Sequence, residues 1–265
     1  MPGQIMQSVL QDLRFEMRQL ARKPGFTAIA ILTLALGAGA NALMFSVIDA
    51  VLLRPLPYPD ASQLLAIQSK LPDVSSASTS LPNFLDTRAQ SRSFSAMAAY
   101  HEKSVSLQLP GGEPVHSAGV EASATLFKVL GVSPVLGHAF SKGEDEPGKP
   151  CRVVVSASLW HEHLSSDPGA IGQSMTVDGR SCSISGIMPE SFAFPSPNDE
   201  FWVALQPTPD TMNRGFDFLD VIARRKPGAT VAGAQSELRV IANHLDKAYP
   251  EDDKGLGITT QPYQN

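Results

Sequence analysis

Positive charge is scarce in this chain once its first two dozen residues are passed. Of 265 residues, 21 are Lys or Arg and 26 are Asp or Glu, a formal net charge of −5. Residues 1–24 hold Arg14, Arg18, Arg22 and Lys23 against Asp12 and Glu16, a balance of +2, so the remainder carries −7. A body that acidic offers no basic footprint for a phosphate backbone, which excludes nucleic acid as a partner. Cysteine is as scarce. Cys151 and Cys182 are the only two, and without His or Cys neighbours at ligand spacing they form no zinc site. Each lies at or near a strand-like run, RVVVS and SCSISGIM. A single cross-strand bridge in an oxidising compartment and a pair of buried free thiols are both open readings.

Catalytic signatures are missing too. The G-x-S-x-G elbow that exposes a serine nucleophile does not occur. Neither does the G-x-x-x-x-G-K-S/T loop, so the chain cannot bind ATP in the P-loop manner. Gly37-Ala38-Gly39 falls inside an apolar run and is no dinucleotide fingerprint. His161-Glu162-His163 looks metal-like, but on a helix positions i and i+2 point about 200° apart and cannot share one ion. The acidic run GEDEPG lacks the regular oxygen-ligand spacing of a calcium loop and reads as solvated. No catalytic, cofactor-binding or metal-ligating residue is therefore assigned, and no enzyme activity or cofactor is expected.

What the chain does have is PGFTAIAILTLALGAGANALMFSVI, twenty-five uncharged residues from Pro24 to Ile48. A bilayer core of about 30 Å needs about 20 apolar helical residues, and core helices seldom run so long without a polar face. Counted through Leu53, the helix would reach about 42 Å at 1.5 Å per residue, so its end projects as a stalk around Asp49 to Leu53. Ala38-Gly39-Ala40 and Ala40-Asn41-Ala42 resemble signal-peptidase sites, which leaves a cleaved, secreted enzyme as a rival. The long preceding segment and the apolar LMFSVIDAVLL that follows favour a retained anchor. The basic residues before the span place residue 1 in the cytoplasm and everything after about residue 49 outside. Ala35 and Gly39, then Ala38, Ala42 and Ser46, make a small-residue ridge suited to a neighbouring helix. Asn41 is the only strongly polar side chain in the span and should face a partner.

Upstream, Ile5, Val9, Leu13, Met17 and Leu20 share one face of a helix whose other face carries Arg14, Arg18 and Arg22. Residues 4–22 thus read as an amphipathic helix on the inner membrane surface, turned into the span at Pro24-Gly25. Downstream, the alternate prolines of RPLPYPD force an extended entry into the outer domain.

That domain mixes element types without strict alternation, so the class is α+β. Leu64 to Gln68 reads as a buried strand, SSASTS (75–80) as a loop, and PNFLDTRAQ as a helix with Ser80 as N-cap and Pro82 in its first turn. SVSLQL alternates Val105, Leu107 and Leu109 on one face, with PGGE turning into a strand around 115–122. ATLFKVLG is a short helix stopped by Gly131. In MTVDGRSCSI, Asp178-Gly179 is a type I′ hairpin signature. Ala234, Leu238, Ile241 and Leu245 stripe a last helix that ends before Pro250.

The run DLRFEMRQLARKPGFTAIAILTLALGAGANALMFSVIDAVLLRPLPYPD resembles the opening of a MacB-like ABC transporter permease, of the branch called acidobacterial duplicated orphan permeases. Similarity continues through LPNFLDTRAQSRSFSAMAAY, GVEASATLFKVLGVSPVLGHAFSKGEDEPG and MTVDGRSCSISGIMPESFAFP to ARRKPGATVAGAQSELRVIANHLDKAYP. The resemblance implies three parts: a cytoplasmic amphipathic helix over 1–24, a transmembrane helix and stalk over 25–53, and a periplasmic core domain over 54–265. The core domain would be porter-like, interrupted by a strand-rich part at roughly 115–205. It implies a location in the cell inner membrane, and a transmitter of motion more than a pore. Its partners would be an ATP-binding cassette subunit on another chain, other permease membrane helices and the lipid bilayer. Family members continue into three more membrane helices. This sequence ends at TTQPYQN with no second apolar run, so it is expected to be a truncated permease piece. A membrane-anchored extracytoplasmic protein that binds a ligand without transporting it is the alternative.

Overall fold

An uncharged run followed by short alternating segments asks for two different surroundings, and the chain divides accordingly into residues 1–55 and 56–265. The structure is a computed structural model that describes residues 23–48, 57–71, 74–109, 112 and 114–263. The amphipathic helix expected over 4–22, with Arg14, Arg18 and Arg22, and the stalk at Asp49 to Leu53 lie outside those residues.

Helix α1 (Pro24–Ile48) is uninterrupted over 25 residues, about 37 Å at the usual rise. Proline is tolerated at its start because the first N–H has no intrahelical partner anyway. Its stretch Thr27–Met44 has a mean hydropathy of 1.7 and none of it is buried. Leu34 and Leu36 are 73% and 72% exposed, a surface that water would penalise and lipid would not. The two threonines satisfy their own hydroxyls along the helix: Thr27 Oγ1 donates to the Lys23 carbonyl and Thr33 Oγ1 to that of Ile29.

The second unit has strands β1 (Leu64–Leu71), β2 (Val74–Ala77), β3 (Thr79–Ser80), β4 (Phe94–Gln108), β5 (Pro114–Ala122), β6 (Leu136–Gly137), β7 (Arg152–Val155), β8 (Ser174–Val177), β9 (Arg180–Ile187), β10 (Phe201–Ala204), β11 (Asp217–Arg225) and β12 (Gly257–Pro262). Its helices are α2 (Leu81–Gln90), α3 (Leu126–Leu130), α4 (Ala157–His163) and α5 (Val231–Ala248). Local chemistry sets their ends. The Ser80 hydroxyl accepts from Asn83 N–H and Pro82 sits in the first turn of α2. Thr230 caps α5 through Gly233 N–H. Gly131, at φ 72°, stops α3. Between β8 and β9, Asp178 and Gly179 have φ 53° and 75°, as a type I′ turn requires.

The segment read as a loop, SSASTS, is instead mostly paired. Ala77 of β2 lies opposite Ser69, and Ser80 of β3 opposite Asp217. Small polar residues give no alternation to read, while open backbone groups on β1 and β11 supply partners.

The strands run β12-β1-β11-β4-β5-β10-β7-β9-β6. Because side chains alternate across a sheet, β1, β11 and β4 feed two cores. Leu65, Ile67, Val221, Ala223, Met97 and Ala99 point to the side covered by α2 and α5, where Ala234, Leu238, Ile241 and Leu245 complete the packing. Leu64, Ile222, Ala98 and Tyr100 point the other way, toward α3 and Trp202. A third core has a different origin. β8 pairs with both β4 and β9, so β4, β5, β10, β7, β9 and β8 form a closed circuit of pairings. Leu107, Val153, Val155, Met175, Val177, Ile184 and Phe201 pack within one cluster from those strands. Gly119 on β5 is required there, since a Cβ would sit 2.4 Å from the Phe201 ring.

Cys151 and Cys182 are joined as a disulfide, with Cα atoms 4.5 Å apart. The bridged alternative therefore holds, and it staples the start of β7 to β9. For a sequence separation of 31, chain entropy gives about 3–4 kcal/mol of stabilisation. Urea unfolding followed by tryptophan fluorescence is expected to show that loss on reduction, and again in Cys151→Ser with Cys182→Ser.

Candidate functional site

The two ends of the second unit meet. Leu65, just inside β1, pairs with Pro262, the last residue of β12, and Tyr263 N–H donates to the Leu64 carbonyl at 3.0 Å. The first and last strands of this unit are thus adjacent and antiparallel.

An aromatic knot ties this meeting point to the sheet. Phe194, fully buried, lies edge-on to Tyr100 at 4.8 Å and Tyr58 at 6.4 Å, and tilted against Tyr263 at 5.9 Å between centroids. Pairs of this kind add about 0.5–1.5 kcal/mol each beyond area burial. Tyr58, on the entering segment, donates its hydroxyl to the Ala193 carbonyl, and Tyr100 and Tyr263 share a side-chain hydrogen bond. Trp202 Nε1 donates to the Phe194 carbonyl at 2.9 Å, fixing the centre of the knot from β10. Arg224 on β11 finishes the tie: its guanidinium donates to the carbonyls of Val129 and Leu130 at the end of α3 and of Asp60 on the entering segment. Burial pushes all three tyrosines well above the ordinary phenol range, so they act as neutral packing and hydrogen-bonding groups. Beside them opens a cavity of about 510 Å³ lined by Gln68, Tyr100, Asp220, Gln261 and Tyr263 among others. Its lining sets the polar Gln68, Asp220 and Gln261 beside the rings of Tyr100 and Tyr263 and the apolar Ile67 and Val221.

A second clasp holds the segment between β10 and β11. Arg214 donates to Asn83 Oδ1 and, at 2.7 Å, to Asp86 Oδ2; it faces Asp253 Oδ2 at 3.5 Å and lies 3.5 Å over the Tyr249 ring. Asn83 Nδ2 donates to Asp253 Oδ1 at 2.7 Å. Burial raises the Asp253 carboxyl, opposed by the Asn83 hydrogen bond and the Arg214 charge.

Asp199, 6% exposed, is raised further. Burial pushes its carboxyl up to about 6, against the pull of the Ser196 N–H and with help from the Glu102 charge. A folded-state value above the unfolded one means the native state binds the extra proton, so this contribution is complete below about pH 4 and lost as pH rises through about 6. Stability measured by urea from pH 4.5 to 7.5 is expected to fall with pH, and Asp199→Asn is expected to flatten the slope and exceed the parent at pH 7.5.

The residues weighed for metal binding stay apart from all this. His161 and His163 sit on α4; His161 Nδ1 pairs with Ser166 Oγ at 2.6 Å and its Nε2 faces Glu190 at 3.6 Å. Among the described residues, no group of three or more His, Cys, Asp or Glu side chains is placed to hold a metal ion. In the acidic run, Glu144 accepts from Ser141 N–H and pairs with Arg152, and Asp145 accepts from Ala124 N–H. The sequence reading missed the knot. Its usable signal was rarity: the chain has four tyrosines, and three of them converge here.

The family model described as MacB-like periplasmic core domain matches residues 27–241. No curated protein matches the sequence. Among solved structures, the chain is similar to a domain of a protein described as a permease from Porphyromonas gingivalis, at a TM-score of 0.59 and 13% identity over 78% of this chain and 93% of that one. It is also similar to the periplasmic region of MacB from Actinobacillus actinomycetemcomitans, at 0.52 and 9% over 75% and 89%. The extracellular domain of the noncanonic ABC-type transporter YknZ from Gram-positive bacteria gives 0.52 and 10% over 74% and 99%. At these identities the likeness is one of fold.

Proposed function

Given that the chain belongs to the MacB-like periplasmic core domain family of ABC-type permeases, we propose that it is a permease component coupling cytoplasmic ATP hydrolysis by a partner chain to motion of its outer domain. Residue 1 would lie in the cytoplasm, 1–24 along the inner face of the cell inner membrane, 25–53 across it and beyond as a stalk, and 54–265 in the periplasm. The strand-rich part at roughly 115–205 would be an insertion in that domain. ATP binding and hydrolysis belong to a separate cassette subunit, because this chain has no phosphate loop. Other permease helices would pack on the small-residue ridge of α1, with lipid on its remaining faces.

The observation that carries the reading is the convergence of the entering and leaving strands on one buried aromatic knot. A push arriving along a helix reaches Tyr58 within ten residues of the helix's end, and Tyr58 is anchored to Phe194 and Ala193. Packed cores pass such a displacement on as a rigid body because their interiors are dense. Hydrogen exchange on the full chain assembled with its cassette subunit tests this. Amides of β1 and β12 should change protection on adding a non-hydrolysable ATP analogue; identical protection with and without nucleotide would sink the coupling. Location is checked separately by protease shaving of spheroplasts, where residues after about 57 should be digested. Survival of the C-terminal two hundred residues would place them in the cytoplasm instead.

A further inference from the structure

Away from the knot, a cleft of about 680 Å³ opens between α2 and the loop that carries the acidic run. That volume is in the range of small-molecule sites, roughly 300–1,000 Å³. Residues 81, 84, 85 and 88 have the spacing of one helical face, so α2 lays Leu85 and then Arg88 along one wall. Phe140 and Leu205 continue the apolar lining, and Lys128 and Lys142 also line the cleft. A second cavity of about 200 Å³ adjoins it, sharing Arg88, Thr125 and Lys128.

The charges in this cleft are unevenly committed. Asp145 accepts from Ala124 N–H, and Glu146, also in the lining, is exposed. Among the described residues, Arg88, Lys128 and Lys142 enter no ion pair, and the Arg88 guanidinium rests 5.0 Å above the Phe84 ring. In a body that is otherwise acidic, three uncommitted cations around an apolar slot are the reverse of the surroundings.

We propose that this cleft binds an amphipathic anion. Its apolar body would lie along Leu85, Phe140 and Leu205, and its carboxylate or phosphate would sit at the saddle formed by Arg88 and Lys128. Apolar contact supplies affinity without strict shape. The paired cations select the acid over a neutral molecule of the same length. The site is independent of the coupling proposed above.

The test uses the full chain in lipid nanodiscs and three photoreactive probes: a long-chain fatty acid with a diazirine on its tail, the alcohol of the same chain, and a diazirine-bearing phosphatidylglycerol. Cross-links are mapped by mass spectrometry. The acid is expected to mark peptides containing Leu85 and Phe140. Arg88→Gln with Lys128→Gln should reduce that labelling about tenfold, the size of a lost charge-assisted contact. Incidental labelling of residues 24–48 should stay unchanged. The alcohol should label the cleft no better than the double variant does with the acid. Labelling by the fatty acid alone identifies a free acid, by the phospholipid alone a membrane lipid, and by both a class-wide site. Marks confined to 24–48 with every probe overturn the proposal, as does equal labelling by acid and alcohol. Should the double variant not fold by circular dichroism, Leu85→Trp fills the slot with the cations intact. It must abolish the cleft label, and an unchanged label would refute the site.

Discussion

Phe194→Ala is expected to leave the cassette partner hydrolysing ATP while the outer domain no longer follows. Phe194 is fully buried at the centre of the knot, touching Tyr58, Tyr100 and Tyr263. Emptying that position costs about 3–5 kcal/mol by the usual measure of Phe→Ala in cores. The entering segment then loses its aromatic anchor while its covalent connection remains. In reconstituted vesicles, ATPase turnover should persist and the nucleotide-dependent change in β1 and β12 exchange should vanish. Tyr58→Phe isolates a gentler version: the ring stays and only the hydrogen bond to the Ala193 carbonyl goes, a net of about 0.5–1.5 kcal/mol. It should weaken the exchange response without abolishing it. An Phe194→Ala chain that folds and still shows the parent's full response would show that the knot is packing alone.

Removing the arginine of the second clasp has a comparable expected effect on stability. Asp253 is 2% exposed and its Oδ2 has no hydrogen bond, only the Arg214 guanidinium at 3.5 Å. Arg214→Met would leave that carboxylate buried without its counter-charge, a situation worth about 3–5 kcal/mol. It would also strip the cation from the Tyr249 ring and free the segment between β10 and β11. Pairing the change with Asp253→Leu should recover most of the loss, because the desolvation cost of both charges disappears together. Urea midpoints at pH 7.5 for the two single variants and the double variant check this. A double variant as unstable as Arg214→Met alone would mean that the clasp acts through shape and not charge.

Local rules reached some elements and not others. Caps, stops and turns were readable because each is chemistry within four residues: Ser80 with Asn83, Gly131 ending α3, Asp178-Gly179 between β8 and β9. The amphipathic stripe of α5 was readable because one face meets the sheet and the other meets water. β4 was legible only in its outer half. Before Val105, its residues Met97 to Tyr100 are all buried, and a strand packed on both faces shows no alternation. β10 escaped for the same reason, with all four residues buried. The circuit of six strands depends on β8 pairing with the far end of β4, some 70 residues earlier in sequence, which no periodicity records. The knot was hidden more completely still. Tyr58, Tyr100, Phe194 and Tyr263 come from four separated segments, and only the neighbouring of β1 and β12 brings the first and last together.

The pairing of the first and last strands has a mechanical consequence. The first and last strands of the second unit, β1 and β12, lie side by side at one end of the sheet, while β6 lies at the other, reached from β12 through β1, β11, β4, β8 and β9. At about 4.8 Å per strand, those six steps put β6 at most about 29 Å from β12. Tilting the sheet by about 10° about β12 would therefore sweep β6 through up to about 5 Å, close to the pitch of an α-helix. The arrangement resembles a door hung on one jamb: a small rotation at the paired edge becomes a larger excursion at the far one.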